Sequence, residues 1–284
     1  MTRSAVVLDP GVLCTLQDRG RPGLASLGVP PSGAADLAAH DLANRLVGNR
    51  ADAATLEVTM GGLRLRAETD LVLAAAGARC PGFDHHAVVT VPAGTVVALG
   101  LPPAGVRTYL AVRGGWEAEP VLGSRSTDVL SGLGPPPVRP GQRLLVGTAV
   151  ERHPDVDQAP VPEPGAEPVR VEVLPGPRAS WFGREAWQVL LETEWTVGGD
   201  SNRVGIRLEG PRGLRRERSG ELVSEGMVRG AVQVPPSGRP VVFLADHPVT
   251  GGYPVIACVR EAHLSVLAQV RAGQGVRFGA ARDG

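Results

Sequence analysis

The fold of this chain is limited most by a succession of short β-forming segments that are separated by turns rich in glycine and proline. The sequence carries 38 glycines and 26 prolines among its 284 residues, whereas few stretches have the apolar period of an amphipathic helix. Closely spaced short strands are typical of β-barrels and β-sandwiches. We therefore predict a mainly β protein with a few short helices.

The predicted strands are short runs of apolar and β-branched residues in both halves of the chain. In the first half they are residues 5–8, 13–17, 56–58, 71–75, 88–91, 95–99 and 108–112. In the second half they are residues 169–174, 193–197, 205–208, 231–234 and 240–245. The distribution predicts two β-rich halves.

Helices are predicted at a few places only. Apolar residues recur at helical spacing near residues 33–47, where Ser32 precedes the pattern as a candidate N-cap and a Gly-Asn pair ends it. A second helix is predicted over 178–191, with proline just before it, and a short third helix over 261–269.

Residues 151–168 are rich in proline and acidic residues and have no apolar period, so they are predicted to form an extended linker or exposed loop. The chain is long enough for two domains with separate cores. We predict an N-terminal β-rich half over 1–150 and a C-terminal β-rich half over 169–284.

The composition excludes several functions. All 29 basic residues are arginine, so this chain carries no Schiff-base lysine, no P-loop lysine and no attached biotin. The formal net charge is zero, with both signs interspersed, which argues against a nucleic-acid or membrane partner. His85 and His86 lack a third ligand at a suitable spacing, so no metal site is predicted.

The cysteines and the N-terminal segment indicate a cellular location. The 3 cysteines are far apart and lie among apolar residues, which is typical of buried free thiols rather than of a disulfide framework or zinc site. The N-terminal segment lacks a signal-peptide pattern, and no apolar run approaches the roughly 18 residues that span a bilayer. We expect a cytoplasmic protein.

Two polar loops of the first half are candidate anion sites. Arg19 and Arg21 lie on a turn after a strand, and guanidinium groups suit carboxylate or phosphate ligands; alternatively, Asp18 and an arginine brace the turn. Arg125 lies in a loop rich in hydroxyl groups, which could bind an oxyanion or order another loop.

The segment 30–36 offers backbone N–H groups at a predicted helix N-terminus, with Ser32 and Asp36 beside them. Capping by Ser32 is compatible with ligand contacts by the neighbouring amides. Glu57 lies within an otherwise apolar strand, so it needs a partner if it faces inward; an outward-facing position is the alternative.

In the second half, an apolar strand leads directly into a cluster of reactive groups. Asp246 and His247 follow residues 240–245 and are the best acid–base candidates. Thr250, Gly251, Gly252 and Tyr253 come next, and the glycines leave backbone N–H groups accessible to a ligand. The alternative is a glycine-rich hairpin turn capped by Asp246.

Successive segments between residues 6 and 278 resemble one known family. They include LDPGVLCTLQDRGRPG, LGVPPSGAAD, LANRLVGN, LEVTMGG, RTYLAVRGG, VLGSRSTD, PGPRASWF, SNRVGIRLEGP, SEGMVRGAVQVPP and LADHPVTGGYP. This order is similar to that of the biotin-dependent carboxyltransferase or allophanate hydrolase subunit 2 family, which includes the C subunit of 5-oxoprolinase and KipA-like proteins.

The resemblance implies a cyclophilin-like β-barrel architecture and membership of a larger heteromeric complex. The expected function is that of the C subunit of an ATP-dependent 5-oxoprolinase. This hydrolase converts the cyclic amide 5-oxo-L-proline to L-glutamate, and the expected partners are its A subunit and its KipI-like B subunit. ATP with Mg²⁺ is the expected cofactor, at a site that is shared with a partner or lies on it.

Two alternatives stay open. The chain could be the carboxyltransferase subunit of a biotin-dependent urea or amide carboxylase, with biotin carried on another chain, or a KipA-like regulatory protein that binds a kinase inhibitor. Positions within the matched segments are expected to line a shared cleft. The catalytic candidates are Asp246, His247 and Tyr253, and the substrate-binding candidates are Arg19, Arg21, Ser32, Asp36, Arg125, Arg203, Thr250, Gly251 and Gly252.

Overall fold

The computed structural model describes residues 2–152, 154–218 and 220–281. Strands make up 33% of the chain and helices 12%, which confirms the mainly β prediction. Two compact units divide the chain: Met1–Arg21 with Ser32–Gly165, and Pro22–Pro31 with Ala166–Gly284. The predicted domain boundaries stay a prediction.

The first unit contains two antiparallel sheets. Its strands are β1 (Ser4–Pro10), β2 (Leu13–Gln17), β3 (Thr55–Thr59), β4 (Leu63–Ala67), β5 (Leu71–Gly77), β6 (Val88–Val91), β7 (Val96–Ala98), β8 (Arg107–Val112) and β9 (Arg143–Leu145). The strand orders are β7-β4-β1-β9 and β2-β3-β8-β5-β6.

Alternation along the strands directs apolar side chains into one core. In β4, Leu63 and Leu65 are buried whereas Arg64 and Arg66 are exposed, as expected when successive side chains point to opposite faces. Residues from both sheets, together with Trp116, form one hydrophobic cluster. The first unit therefore has its own core.

The long helix of the first unit, α1 (Leu37–Leu46), starts later than predicted. Its N-cap is Asp36, whose Oδ1 accepts a hydrogen bond from the N–H of Ala39 at 3.0 Å. The assignment of Ser32 as the cap was wrong, because Ser32 has a φ of 51° and lies in the loop before the helix. Ala39 and Ala43 join the small buried residues of β5 and β8 in a separate cluster.

The second unit is built on a closed barrel. Its strands are β10 (Val169–Pro175), β11 (Glu194–Val197), β12 (Gly205–Glu209), β13 (Glu225–Gly226), β14 (Ala231–Gln233), β15 (Val241–Phe243), β16 (Thr250–Gly251), β17 (Val255–Val259) and β18 (Gly275–Ala280). The barrel order is β10-β17-β14-β15-β12-β11-β18, while β13 and β16 form a separate two-stranded sheet. A parallel pairing of β10 with β18 closes the barrel, which confirms the barrel prediction.

Two helices accompany the barrel. They are α2 (Gly183–Glu192) and α3 (Leu264–Leu267), and each follows a 3₁₀ turn, at Ala179–Trp181 and Glu261–His263 respectively. The predicted helices over 178–191 and 261–269 are thus present, but each begins as a 3₁₀ turn. Ala186 and Leu190 of α2 are buried and join the barrel core.

The predicted linker forms no helix or named strand in its described part. Part of the linker lies against the start of β6, because the N–H of Val88 donates to the carbonyl of Asp157 at 2.8 Å. His153 of this linker and the last three residues of the predicted C-terminal half lie outside the described residues. Of the free cysteines, Cys14 and Cys80 are buried, whereas Cys258 is half-buried.

Within the described ranges, the helices are too short or too polar to cross a membrane.

Candidate functional site

The carboxylate of Asp18 joins the two polar loops of the first unit. Its Oδ1 accepts hydrogen bonds from the N–H of Gly20 at 2.8 Å and from the hydroxyls of Ser124 and Ser126, each at 2.6 Å. Its Oδ2 accepts from the N–H of Arg125 at 2.6 Å. We call Asp18, Ser124, Ser126 and Arg125 the Asp18 cluster. The cluster fixes the turn after β2 against the loop 123–128.

Arg21 is held by the same loop and is buried, with only 2% of its surface exposed. Its Nη2 donates to the carbonyl of Ser126 at 2.5 Å and its Nε to the carbonyl of Val121 at 3.3 Å. Its buried Nη1 has no hydrogen-bond partner, and Arg21 forms no ion pair, among the described residues. A buried cation paired only with carbonyl groups is costly, so Arg21 is suited to an anion.

Arg19 and Arg125 each pair with a carboxylate. Arg19 pairs with Asp41 on α1 and is half exposed. Burial raises the pKa of the Asp41 carboxyl, but hydrogen bonds from His40 and Arg19 outweigh that effect, and the pKa is lowered. Arg125 pairs with Glu117 at 3.7 Å, and its Nε donates to the carbonyl of Ala118 at 3.0 Å.

Ser32 and Asp36 lie on the segment that leads into α1. The hydroxyl of Ser32 donates to the carbonyl of Thr127 at 3.2 Å, so Ser32 also contacts the loop 123–128. Asp36 caps α1 with its carboxylate, and its own N–H donates to the phenol oxygen of Tyr109 at 2.7 Å. Both residues are nearly buried.

Glu57 faces inward and anchors the segment before α1. Its Oε2 accepts hydrogen bonds from the phenol of Tyr109 at 2.7 Å and from the N–H of Ala35 at 3.0 Å, while Arg107 lies 3.4 Å from its Oε1. Burial raises the pKa of Tyr109 well above its usual value, and the charges of Glu57 and Asp36 add to the effect. Tyr109 is therefore a neutral donor, and this network positions the loop.

In the second unit, Arg203 and Asp246 form a buried ion pair. The guanidinium Nε and Nη2 lie 2.8 and 2.9 Å from the two carboxylate oxygens, and the side chains are 1% and 0% exposed. Arg203 precedes β12 and Asp246 follows β15, which pair in the barrel. The pair therefore fastens two neighbouring strand ends.

His247 is buried beside this pair, and its ring is oriented by its own loop. Its Nδ1 lies 2.8 Å from the carbonyl oxygen of Pro248, which can only accept, so Nδ1 is the protonated nitrogen. The ring centroid lies 6.1 Å from that of Phe243. In the neutral ring, Nε2 is therefore the basic nitrogen.

The loop from Thr250 to Tyr253 is partly exposed. Thr250 and Gly251 form β16, which pairs with β13. A Cβ on Gly251 would lie 2.6 Å from Nε2 of Gln233, so a side chain at this position would require the Gln233 side chain to shift. Tyr253 is 44% exposed, and the guanidinium of Arg216 lies over its ring, 5.8 Å from the centroid.

The predicted residues thus fall into two groups. Within the first unit, Arg21, Arg125 and Ser32 meet at the loop 123–128, whereas Arg19 and Asp36 are held at α1. Within the second unit, Asp246 and His247 are buried, but Thr250, Gly252 and Tyr253 reach the surface.

Sequence reasoning missed Tyr109 and Arg216. Tyr109 lies inside a predicted strand, and a hydroxyl in a buried strand signals the need for a polar partner. Arg216 lies in an arginine-rich segment without a predicted element, and no local signal distinguishes it from its neighbours.

Comparison with known proteins identifies the family. Residues 27–280 match the family described as carboxyltransferase domain, subdomain A and B. This chain belongs to that family. Among its relatives, the C subunit of 5-oxoprolinase from Escherichia coli (strain K12) is 39% identical over 281 residues, which cover 96% of this chain and 89% of the relative.

Solved structures share the fold of this chain. A crystal structure of TTHA0988 superposes with a TM-score of 0.86 at 36% identity over 98% of this chain. The K. lactis urea amidolyase superposes with a TM-score of 0.90 at 28% identity, also over 98% of this chain. This chain spans 56% of the TTHA0988 chain and 19% of the urea amidolyase chain.

Proposed function

We propose that this chain acts as the C subunit of an ATP-dependent 5-oxoprolinase, which converts 5-oxo-L-proline to L-glutamate together with its A and B subunits. The observation that carries the proposal is the 39% identity to the E. coli relative, which extends over 96% of this chain and 89% of that relative. In this reaction water opens the lactam ring while ATP is cleaved to ADP and phosphate.

Arg21 is the proposed substrate-binding residue of the first unit. The substrate carries a carboxylate, and a guanidinium can bind a carboxylate through two parallel hydrogen bonds. The Nη1 of Arg21 lacks a partner among the described residues, but it is buried, so it would donate to the substrate carboxylate only after the surrounding loops move. The Asp18 cluster would keep the Arg21 loop in place, and Arg19, Ser32, Asp36 and Arg125 would support it.

In the second unit, we assign proton transfer to His247 and Tyr253. The Nδ1 of His247 is engaged by a carbonyl oxygen, which leaves Nε2 as the basic nitrogen of the neutral ring. Asp246, paired with Arg203 inside the barrel, acts as a positioning residue for the loop that carries His247. Thr250, Gly251 and Gly252 would offer polar groups to the substrate.

ATP and Mg²⁺ are assigned to a site that a partner protein supplies or completes. The sequence has no lysine for a P-loop. Among the described residues, no three His, Cys, Asp or Glu side chains are grouped to hold a metal ion. The described residues of this chain therefore do not fit a complete Mg²⁺ site by themselves. The complex is proposed to work in the cytoplasm, where its free cysteines would stay reduced.

A second candidate is the carboxyltransferase role in a biotin-dependent urea or amide carboxylase. It is favoured by the TM-score of 0.90 with the K. lactis urea amidolyase. In that case the biotin carrier would be another chain, because this chain has no lysine to carry biotin.

The test is to coexpress the chain with the A and B subunits encoded in its own genome and to measure glutamate release from 5-oxoproline and ATP. Turnover is expected only when all three chains are present. Arg21→Gln should lower kcat/KM by at least about tenfold, which corresponds to the loss of one charge-assisted hydrogen bond. The matched control is Arg50→Gln, since Arg50 is exposed and pairs with exposed Asp52.

Other results of this experiment would distinguish the 5-oxoprolinase function from the carboxylase and regulatory functions. A folded complex of all three proteins without glutamate release would refute the 5-oxoprolinase assignment. Carboxylation of urea by the chain with a biotin carrier protein would establish the second candidate instead. Tight binding of a kinase inhibitor by the complex, without turnover of either substrate, would indicate the KipA-like regulatory role.

A further inference from the structure

A surface cavity in the second unit is lined by neither Asp246 nor His247, although its lining residue Arg216 stacks on Tyr253, which follows them. Its volume is about 580 Å³, and it is lined by residues 213–218, by Gly220 and by residues 235–238. Small-molecule sites commonly have volumes of about 300–1,000 Å³. The cavity is therefore large enough for a small organic ligand.

The walls of the cavity are fixed by backbone contacts. The N–H of Leu214 donates to the carbonyl of Gly238 at 2.8 Å, and the N–H of Gly238 donates to the carbonyl of Pro235 at 2.9 Å. A Cβ on Gly238 would lie only 3.0 Å from the Cα of Gly213, so the segments touch closely. Leu214 is 2% exposed and anchors its segment in the barrel core.

Three of the lining residues, Arg215, Arg216 and Arg218, are arginines. Arg215 and Arg218 are exposed, and neither pairs with a carboxylate within the described ranges. Arg216 is held in place, because its Nη2 donates to the carbonyl of Val234 at 2.6 Å and its guanidinium covers the ring of Tyr253. Its buried Nε has no hydrogen-bond partner among the described residues.

The acidic residue of this segment is directed toward a helix. The carboxylate of Glu217 occupies the space that a Cβ on Gly183 would fill, and Gly183 is the first residue of α2. The N–H of Glu217 donates to the carbonyl of Trp181 at 2.7 Å. A carboxylate at a helix N-terminus is stabilised by the helix dipole. Glu217 also lines the cavity, but it forms no ion pair with the three arginines among the described residues. Three guanidinium groups beside one carboxylate leave the cavity with an excess of positive charge.

We propose that this arginine cavity binds the phosphate groups of a small phosphorylated ligand. A single carboxylate would neutralise only one guanidinium, whereas phosphate groups carry more charge and more acceptor oxygens. The fixed guanidinium of Arg216 would orient the ligand, and the exposed side chains of Arg215 and Arg218 would close on it. Pro235 and Pro236 would pack against an uncharged part of the ligand.

The experiment is calorimetric titration of the full-length chain with pyrophosphate and with ADP at low ionic strength. Saturable binding is expected, and it should weaken as salt is added. The double variant Arg215→Gln/Arg218→Gln should bind at least about tenfold more weakly, because two charge-assisted contacts are lost. The matched control is Arg239→Gln. Arg239 is an exposed arginine of the neighbouring turn and pairs with Glu209. This variant should bind pyrophosphate with the affinity of the wild type.

The comparison of ADP with pyrophosphate distinguishes a nucleotide ligand from a ligand that is recognised by its phosphate groups alone. Tighter binding of ADP than of pyrophosphate would identify a nucleotide, and equal affinity would identify the phosphate groups alone. The proposal is overturned by an absence of saturable binding, by unchanged affinity in the double variant with a wild-type circular dichroism spectrum, or by tighter binding of malonate than of pyrophosphate. Because the assay needs no partner protein and no turnover, its result is independent of the 5-oxoprolinase assignment.

Discussion

Arg203 and Asp246 contact each other through both their side chains and their backbones inside the second unit. Their side chains form a two-point ion pair with distances of 2.8 and 2.9 Å, and the N–H of Asp246 donates to the carbonyl of Arg203 at 3.0 Å. Neither side chain is more than 1% exposed. Because water does not reach either side chain, each buried charge is stabilised by the opposite charge of its partner.

The first prediction follows from this dependence. Arg203→Met should lower the free energy of unfolding by about 3–5 kcal/mol, because it leaves the Asp246 carboxylate buried without its counter-ion. The double variant Arg203→Met/Asp246→Leu should regain much of that loss, since no buried charge remains. Urea unfolding of the wild type and both variants measures the difference. A single variant as stable as the wild type would contradict the structural role.

The second prediction concerns Tyr109. Tyr109→Phe should lower the free energy of unfolding by about 1–3 kcal/mol, because it removes a donor to buried Glu57 and the acceptor for the N–H of Asp36. The control is Tyr253→Phe, since the Tyr253 ring is 44% exposed, and its effect should be within about 0.5 kcal/mol. Equal stability losses in the two variants would argue against the Glu57 network.

Much of the fold could be predicted from local residue patterns. Every predicted strand overlaps an observed one, and β2 and β6 have the predicted bounds. The sequence patterns did not reveal β4, β9, β13, β16, β17 and β18. In β4, leucine alternates with arginine, and β18 is interrupted by glycine. These strands are stabilised by pairing with distant segments, such as β18 with β10, so local propensity identifies them poorly.

The site was harder to predict, because its geometry depends on contacts between distant segments. Arg21 was identified as a ligand candidate, but its burial depends on the loop 123–128. For Ser32, tertiary contacts outweighed the capping preference, since its hydroxyl contacts Thr127 and Asp36 caps the helix. Asp246 was predicted beside an imidazole, and its partner Arg203 lies 43 residues away.

The third prediction tests the Asp18 cluster. Asp18→Asn should lower the free energy of unfolding by about 2–3 kcal/mol, because the amide replaces one acceptor oxygen of a buried carboxylate that receives several hydrogen bonds. Limited proteolysis should then cut the loop 123–128 faster than in the wild type. Asp52→Asn is the control, since Asp52 is 60% exposed. An uncut loop in Asp18→Asn would show that other contacts hold it.

The last prediction concerns the pH dependence of the first unit. The Nε2 of His85 accepts a hydrogen bond from the N–H of Cys80 at 2.9 Å, so the folded protein holds His85 neutral. Burial lowers the pKa of His85 from 6.5 to about 4, and the positive charges of His86 and Arg79 add to the effect. Burial also lowers the pKa of His86.

Between pH 6.5 and about 4, the unfolded chain binds a proton at His85 and the folded chain does not. The contribution of neutral His85 to the free energy of unfolding is therefore fully present above pH 6.5 and is lost as the pH falls toward about 4. From about pH 7 to about pH 5, the loss should be about 2 kcal/mol. His85→Gln keeps an acceptor for Cys80 but cannot titrate, so urea unfolding at the two pH values should show a smaller loss than in the wild type. Equal losses would place the pH dependence elsewhere in the chain.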